Sequence, residues 1–172
     1  MTETSGGAPW PDLSGRLVEW GHVLPIRVYF EDTDFSGFVY HTAYMRWCER
    51  GRSDYLRLLG VHHNALAEGA FAGEPCAFAV RRLAAEYLKS ARIDETLEVH
   101  TAPADCAKAS VTLRQTVLRE GQPIFRLEAQ CVLVSLGGRP LRLPPPLLAL
   151  LSPRPGAAPG REAAKRERTL PP

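Results

Sequence analysis

Arg27–Arg50 reads RVYFEDTDFSGFVYHTAYMRWCER, and the change of period inside this stretch decides the fold. Around its start, Pro25–Phe30 alternates Ile26, Val28 and Phe30 against Arg27 and Tyr29, the period-two pattern of a short strand. A loop containing Asp, Ser and Gly follows from Glu31 to Gly37. From about Thr42 the period lengthens. Tyr44, Cys48, Gly51, Tyr55 and Leu58–Leu59 fall on one apolar stripe at helical spacing, with Arg46, Glu49, Arg50, Arg52, Asp54 and Arg57 mostly off it. Gly60 stands where a helix stops. The spacing predicts one helix of roughly 17 residues.

Beyond that helix, His62–Gly73 is a weaker helical or loop stretch. Cys76–Tyr87, Thr96–Ala102, Ala109–Arg119 and Ile124–Leu136 are rich in β-branched or alternating apolar residues, as strands are. Turn signals separate them at Lys89–Ser90, Pro103–Asp105 and Glu120-Gly121-Gln122-Pro123. One strand, one long helix and four antiparallel strands make an α+β domain, an antiparallel sheet of about five strands wrapped around one long central helix. Such a sheet has unpaired edges and a partly covered face, so it is expected to continue across a two-fold axis as a homo-oligomer, a dimer at least.

The ends differ from this middle. Residues 1–21 read as a flexible leader rich in Gly, Pro, Ser and acidic positions, and 22–146 as the folded domain. Nine of the 15 prolines fall from Pro140 onward, so 147–172 reads as an extended Pro-rich tail, disordered at its far end. The net charge of +2 resides in Arg161–Arg168, and the balanced remainder argues against a dedicated nucleic-acid binder. No apolar run approaches the roughly 18 residues of a membrane span. The start lacks the pattern of a signal peptide, and Cys48, Cys76, Cys106 and Cys131 form no CxxC pair. Reduced thiols in a cytoplasmic protein are therefore expected.

Glu31, Asp32 and Asp34 lie within four residues, between a strand and the start of the long helix. Clustered like charges raise one another's pKa. An acidic surface loop or a helix-entry cap would explain them blandly, but Phe35, Phe38, Val39 and Tyr40 are too apolar for a loop that only faces water. Part of the loop is expected to line a pocket or an interface. The helix begins near His41–Thr42, and its first backbone N–H groups point back toward the loop without intrahelical partners. Gly37 permits the tight turn that brings a carboxylate toward them. A preorganised amide polarises a thioester carbonyl, while a carboxylate attacks it or takes a proton from water; no cofactor is needed.

The segment resembles the 4-hydroxybenzoyl-CoA thioesterase branch of the hotdog superfamily, and within it the Tol–Pal-associated, YbgC-type acyl-CoA thioesterases. That signature stands here as Val28-Tyr29-Phe30-Glu31-Asp32-Thr33-Asp34, Gly37, Phe38-Val39-Tyr40-His41, Tyr44 and Glu49-Arg50. Weaker similarity runs from Phe78 to Leu97, and the whole spans roughly residues 24–145. The resemblance implies a hotdog fold, acyl-CoA as substrate and Asp34 as catalytic carboxylate, with the His41 backbone N–H polarising the carbonyl. It also implies assembly as a dimer or tetramer and leaves acyl carrier protein open as a partner. Many relatives carry Asn where this chain has Ala43.

Gly37, Phe38, Val39, Tyr40 and Tyr44 become candidate substrate contacts with the loop. Tyr29, Tyr40 and Tyr44 read first as core or interface aromatics, with acyl-pocket lining as the alternative. Lys108 is the preferred contact for coenzyme A phosphates, because relatives carry basic residues before the strand near Ser110. Cys48 reads as core, His22 and His100 as structural or exposed, and His62–His63 as unsuited to a metal. Two other functions compete. A non-catalytic acyl-CoA or acyl-carrier-protein binding module gains nothing from clustered carboxylates. A hotdog enoyl-CoA hydratase usually places Asn-Pro and then His after Gly-Asp, whereas this chain has Asp-Phe-Ser-Gly-Phe.

Overall fold

The computed structural model describes residues 15–153. Among them, β1 (Arg16–Val18), β2 (Gly21–Arg27), β3 (Cys76–Tyr87), β4 (Thr96–Cys106), β5 (Ser110–Arg119) and β6 (Gln122–Ser135) form one antiparallel sheet in the order β1-β2-β4-β5-β6-β3. Its helices are α1 (His41–Leu58), α2 (His63–Ala67) and α3 (Pro145–Leu151).

The period-two pattern sets which face is buried. Val111, Leu113, Gln115 and Val117 of β5 and Phe125, Leu127, Ala129, Cys131 and Leu133 of β6 all point inward. Onto them α1 lays Ala43, Tyr44, Trp47, Cys48, Gly51, Tyr55 and Leu56. Fully burying a side chain such as Phe125 in this helix–sheet contact contributes about 1.5–3 kcal/mol. The core has two lobes, one around Tyr44, Trp47 and Phe125, the other around Tyr55, Leu66, Leu133 and Leu147.

A buried polar layer pins the helix to the sheet. Arg52 Nη1 donates to Gln115 Oε1 at 2.7 Å, and Gln115 Nε2 donates to the Cys48 carbonyl at 2.8 Å and to Thr101 Oγ1 at 2.9 Å. The Arg52 charge is met by Glu49. Gly51 makes the close approach possible, since a Cβ there would sit 3.0 Å from Thr101 Oγ1 and 3.1 Å from Val99 Cγ1.

Four expectations need correction. The sheet has six strands among the described residues, because Arg16–Val18, inside the expected leader, pairs with Gly21–Val23. Asp54 anchors that region by accepting from the Gly15 N–H at 2.7 Å and pairing with His22 Nε2 at 2.8 Å. Burial pushes the His22 imidazole below its ordinary range despite that bond. Burial also pushes the Asp54 carboxyl up, but bonds from Arg57, Gly15 and His22 outweigh it and hold the group low. Second, β2 ends at Arg27, and Phe30 opens a 3-10 turn and is 83% exposed. Third, Pro103–Asp105 is no turn but an irregularity inside β4, and the chain reverses after Cys106. Fourth, the expected tail from 147 begins inside α3, whose Leu147 and Leu151 are fully buried. Prolines at its first two positions suit a helix start, where the missing N–H costs nothing. Residues 1–14 and 154–172 of the expected leader and tail lie outside the described residues. The four cysteines are unpaired.

Replacing Gly51 by Ala is expected to destabilise the domain. Overpacking against Thr101 and Val99 costs about 1–3 kcal/mol, offset by at most ~1 kcal/mol of helix propensity. A lower urea midpoint with an unchanged slope would register it.

Candidate active site

The loop between β2 and α1 folds into a small hairpin. Thr33 bridges Val39, the Asp34 N–H donates to the Phe38 carbonyl at 3.0 Å, and the Gly37 N–H donates to the Asp34 carbonyl at 3.0 Å. Gly37 has φ +76°, a conformation most side chains resist, so the tight return depends on glycine. The return sets Asp34 opposite Phe38, three residues before the first residue of α1.

Asp32 and Asp34 have different surroundings. Asp32 is 5% exposed and turned inward. Its carboxylate accepts from the Tyr29 N–H at 3.0 Å and pairs with Arg46 at 3.2 Å, while its carbonyl accepts from the Tyr40 N–H at 2.8 Å. It clamps the loop to the first turns of α1. Asp34 is exposed at the hairpin tip. Its Oδ1 accepts from the Ser36 hydroxyl and from the Ser36 N–H at 2.8 Å. Those two bonds, the hydroxyl's first, hold the Asp34 carboxyl below its ordinary range, where the like-charge argument expected a rise. A donor two residues downstream is an Asx-turn signal that the sequence carried.

The second wall is Ala91–Glu95. The Val39 N–H donates to Ala91, Val28 exchanges bonds with Asp94 and Glu95, and the Arg92 guanidinium lies 4.1 Å from the Phe38 ring centroid. No side chain caps the start of α1, where Tyr40 is the N-cap residue. The Ala43 N–H closes onto the Tyr40 carbonyl at 2.9 Å, which leaves the His41 and Thr42 amides without a partner among the described residues. The His41 ring is exposed beside Tyr40, 4.4 Å between centroids. Ala43 is fully buried, so the position where relatives carry Asn belongs here to the core.

The other candidates separate. Gly37, Phe38 and Tyr40 stay on the exposed hairpin, joined by Phe35 and Tyr29. Val39 is buried. Tyr44 is 3% exposed, stacks on Phe125 at 5.1 Å, and its hydroxyl accepts from the Ala91 N–H at 2.9 Å; this is a core residue that holds the second wall. Burial, against that bond, keeps its phenol above the ordinary range and neutral. Lys108 lies beyond the far end of β4, roughly 35 Å of strand from the Asp34 hairpin, so one protomer does not bring the two together. Among the described residues no cluster of His, Cys, Asp or Glu is arranged for a metal. An open groove of about 600 Å³, lined by Ile26, Arg27, Arg50, Asp54 and His62, runs between β2 and α1 but does not include Asp34.

A long helix wrapped by one antiparallel sheet, with a carboxylate-bearing hairpin leading into that helix, is a hotdog domain of the thioesterase type. Residues 28–151 match the thioesterase-like superfamily, and the chain belongs to it. It is 33% identical over 121 residues to the acyl-CoA thioesterase YbgC of Haemophilus influenzae, covering 70% of this chain and 86% of that protein. It is 34% identical over 133 residues to the acyl-CoA thioester hydrolase YbgC of Escherichia coli, covering 77% and 90%. A crystal structure of a probable thioesterase from Bartonella henselae superposes with a TM-score of 0.69 at 35% identity, covering 72% of this chain and 99% of that one.

Asp32→Ala removes a charged acceptor from the Tyr29 N–H and from Arg46 and is expected to cost about 1.5–3 kcal/mol in urea unfolding. Asp34→Ala, at the exposed tip, is expected to leave the unfolding midpoint within error.

Proposed function

We propose that the protein hydrolyses an acyl-CoA thioester to the free acid and coenzyme A, with Asp34 as nucleophile or general base and the His41 backbone N–H polarising the carbonyl. The observation that carries this reading is the uncapped start of α1, with its free amides beside a hairpin that holds an ionised carboxylate. An amide fixed by a helix needs no reorganisation as charge develops on the thioester oxygen, and the helix dipole adds to its effect. Asp34 is ionised at neutral pH, ready to attack the carbonyl carbon or to take a proton from water. The His41 side chain has no necessary part. The acidic pair with its turn donor favours this reading over a passive acyl-CoA or acyl-carrier-protein binder, although acyl carrier protein remains an alternative thioester donor. Unpaired thiols suit a reducing, cytoplasmic setting. No helix among the described residues is long and apolar enough to cross a membrane.

The reading includes a second copy. β3 is an edge strand, and its inward-facing Val80, Leu83 and Tyr87 are 46%, 40% and 47% exposed. Antiparallel pairing of β3 with its copy covers that row. It also carries the Lys108 end of one protomer toward the Asp34 end of the other, where a basic side chain can meet coenzyme A phosphates.

Release of free thiol from a panel of acyl-CoAs tests the chemistry. Asp34→Asn is expected to lower kcat about 100-fold or more with a small change in KM. Equal turnover by mutant and parent would overturn the assignment. The pH profile gives a second check. Because Ser36 depresses the Asp34 pKa, the acid limb of kcat/KM is expected below the ordinary carboxylate value of 3.8. Ser36→Ala is expected to move that limb upward, since the lost hydroxyl bond favoured the charged form.

A further inference from the structure

His22 is fully buried, and its two ring nitrogens have unequal surroundings. Nε2 lies 2.8 Å from Asp54 Oδ2, whereas Nδ1 is buried with no hydrogen-bond partner among the described residues. A carboxylate can only accept, so Nε2 carries the proton of the neutral ring. Asp54 is a shared hub. The same oxygen accepts from the Gly15 N–H at 2.7 Å, and the other accepts from Arg57 Nη2 at 2.7 Å. This cluster stands roughly 20 Å of helix beyond His41, away from the Asp34 hairpin.

The site suits a neutral imidazole and not a charged one. Arg57 already balances the Asp54 carboxylate, so a proton on His22 adds a net positive charge to a buried place. It also creates an Nδ1–H with nothing to accept it. The groups that face the ring are Asp54, Tyr55 and Arg57 on α1, Leu17 opposite it on β1, and Thr101 and His100 on β4. Arg57 and His100 oppose a charge on the ring, and Asp54 favours one.

The ring is coupled to β1 through Gly15. A Cβ at Gly15 would lie 2.5 Å from His22 Nε2, so a ring that leaves its seat strikes the chain there. β1 itself has three residues, paired with Gly21–Val23. We propose that His22 and Asp54 form an acid-released latch: proton uptake by His22 drives the ring from its seat and frees β1, while α1 and the rest of the sheet stay folded. Release bares the outer edge of β2. Burial holds the His22 imidazole below its ordinary value of 6.5, against the Asp54 bond. The latch therefore contributes fully above pH 6.5 and is lost as pH falls below that value toward the folded-state one. Asp54, itself held low, titrates in a separate window below 3.8.

NMR on the unaltered full chain between pH 7.5 and 5.5 tests the latch, with the His22 ring resonance assigned by its loss in His22→Gln. The His22 midpoint is expected below 6.5. Amide exchange, corrected for intrinsic rates, is expected to show protection at Gly15 falling about 5- to 10-fold across this range, with the buried Leu113 and Leu127 unchanged. In His22→Gln, whose side chain takes up no proton, Gly15 protection is expected to be flat with pH. A His22 midpoint at 6.5 or above, a flat Gly15 profile in the unaltered protein, or an equal fall in His22→Gln would overturn the latch. A parallel loss at Leu113 and Leu127 would overturn the local release. Should His22→Gln fail to fold, the midpoint and the Gly15 profile of the unaltered protein decide.

Discussion

The seat of α1 on the sheet at Gly51 is the constraint on which the remaining geometry depends. With hydrogen in place of a side chain, the helix approaches until its backbone meets Thr101 and Val99. Only at that separation can the buried amide of Gln115 reach the Cys48 carbonyl while also serving Arg52 and Thr101. Hydrophobic contact alone would allow the helix to slide or roll, because apolar packing is not directional. The polar layer fixes its register, since any slip leaves a buried guanidinium without its partner, at a cost of several kcal/mol. From this fixed point the first turns fall into place. Tyr44 meets the Ala91 N–H, Tyr87 meets the His41 carbonyl, and the free amides at the helix start acquire a defined direction.

The loop that leads into those amides is held by a division of labour between two like charges. Asp32 is satisfied from inside by Arg46 and the Tyr29 N–H, and Asp34 from its own turn by Ser36. Giving each carboxylate separate donors removes the penalty of clustering them, which is why Asp34 is depressed rather than raised. It also separates support from exposure. The residue that stabilises the hairpin is buried, and the one that carries the free charge contributes little to holding the chain. The Ala91–Glu95 wall and the Arg92–Phe38 contact restrain the hairpin from the other side, so the exposed carboxylate sits on a braced element and not on a loose loop.

The parts of this arrangement that the sequence revealed are those governed by period and by glycine. The stripe through Tyr44, Cys48, Gly51 and Tyr55 marked α1, the alternating runs marked β3 to β6, and Gly37 marked the return of the hairpin. What stayed hidden depends on contacts distant in sequence. Arg16–Val18 is too short to show a period, and it is a strand only because His22 and Gly15 meet Asp54 on the helix. Pro144–Pro146 suggested an extended chain, yet Leu147 and Leu151 lie one helical turn apart and are buried together in the lobe around Tyr55. Asp32 and Asp34 are indistinguishable as letters. Only the inward turn of Asp32 separates brace from candidate catalyst, and the nearby Ser36 was the one local sign of the difference. Lys108 was proposed from resemblance, and no local pattern reveals that it sits at the opposite end of its hairpin.

The two late additions to the fold also make its two sheet edges different. At the β2 end, the outer edge is blunted by the short β1, by Pro25 and by the exposed Arg27, features that discourage another strand from joining. At the far end, α3 covers the lobe beneath β3 and seals it with Leu151. β3 itself is long, with an irregularity between Val80 and Arg82, and keeps a half-exposed apolar row on the helix side. That row, Val80, Leu83 and Tyr87, leaves this edge with apolar surface still to cover.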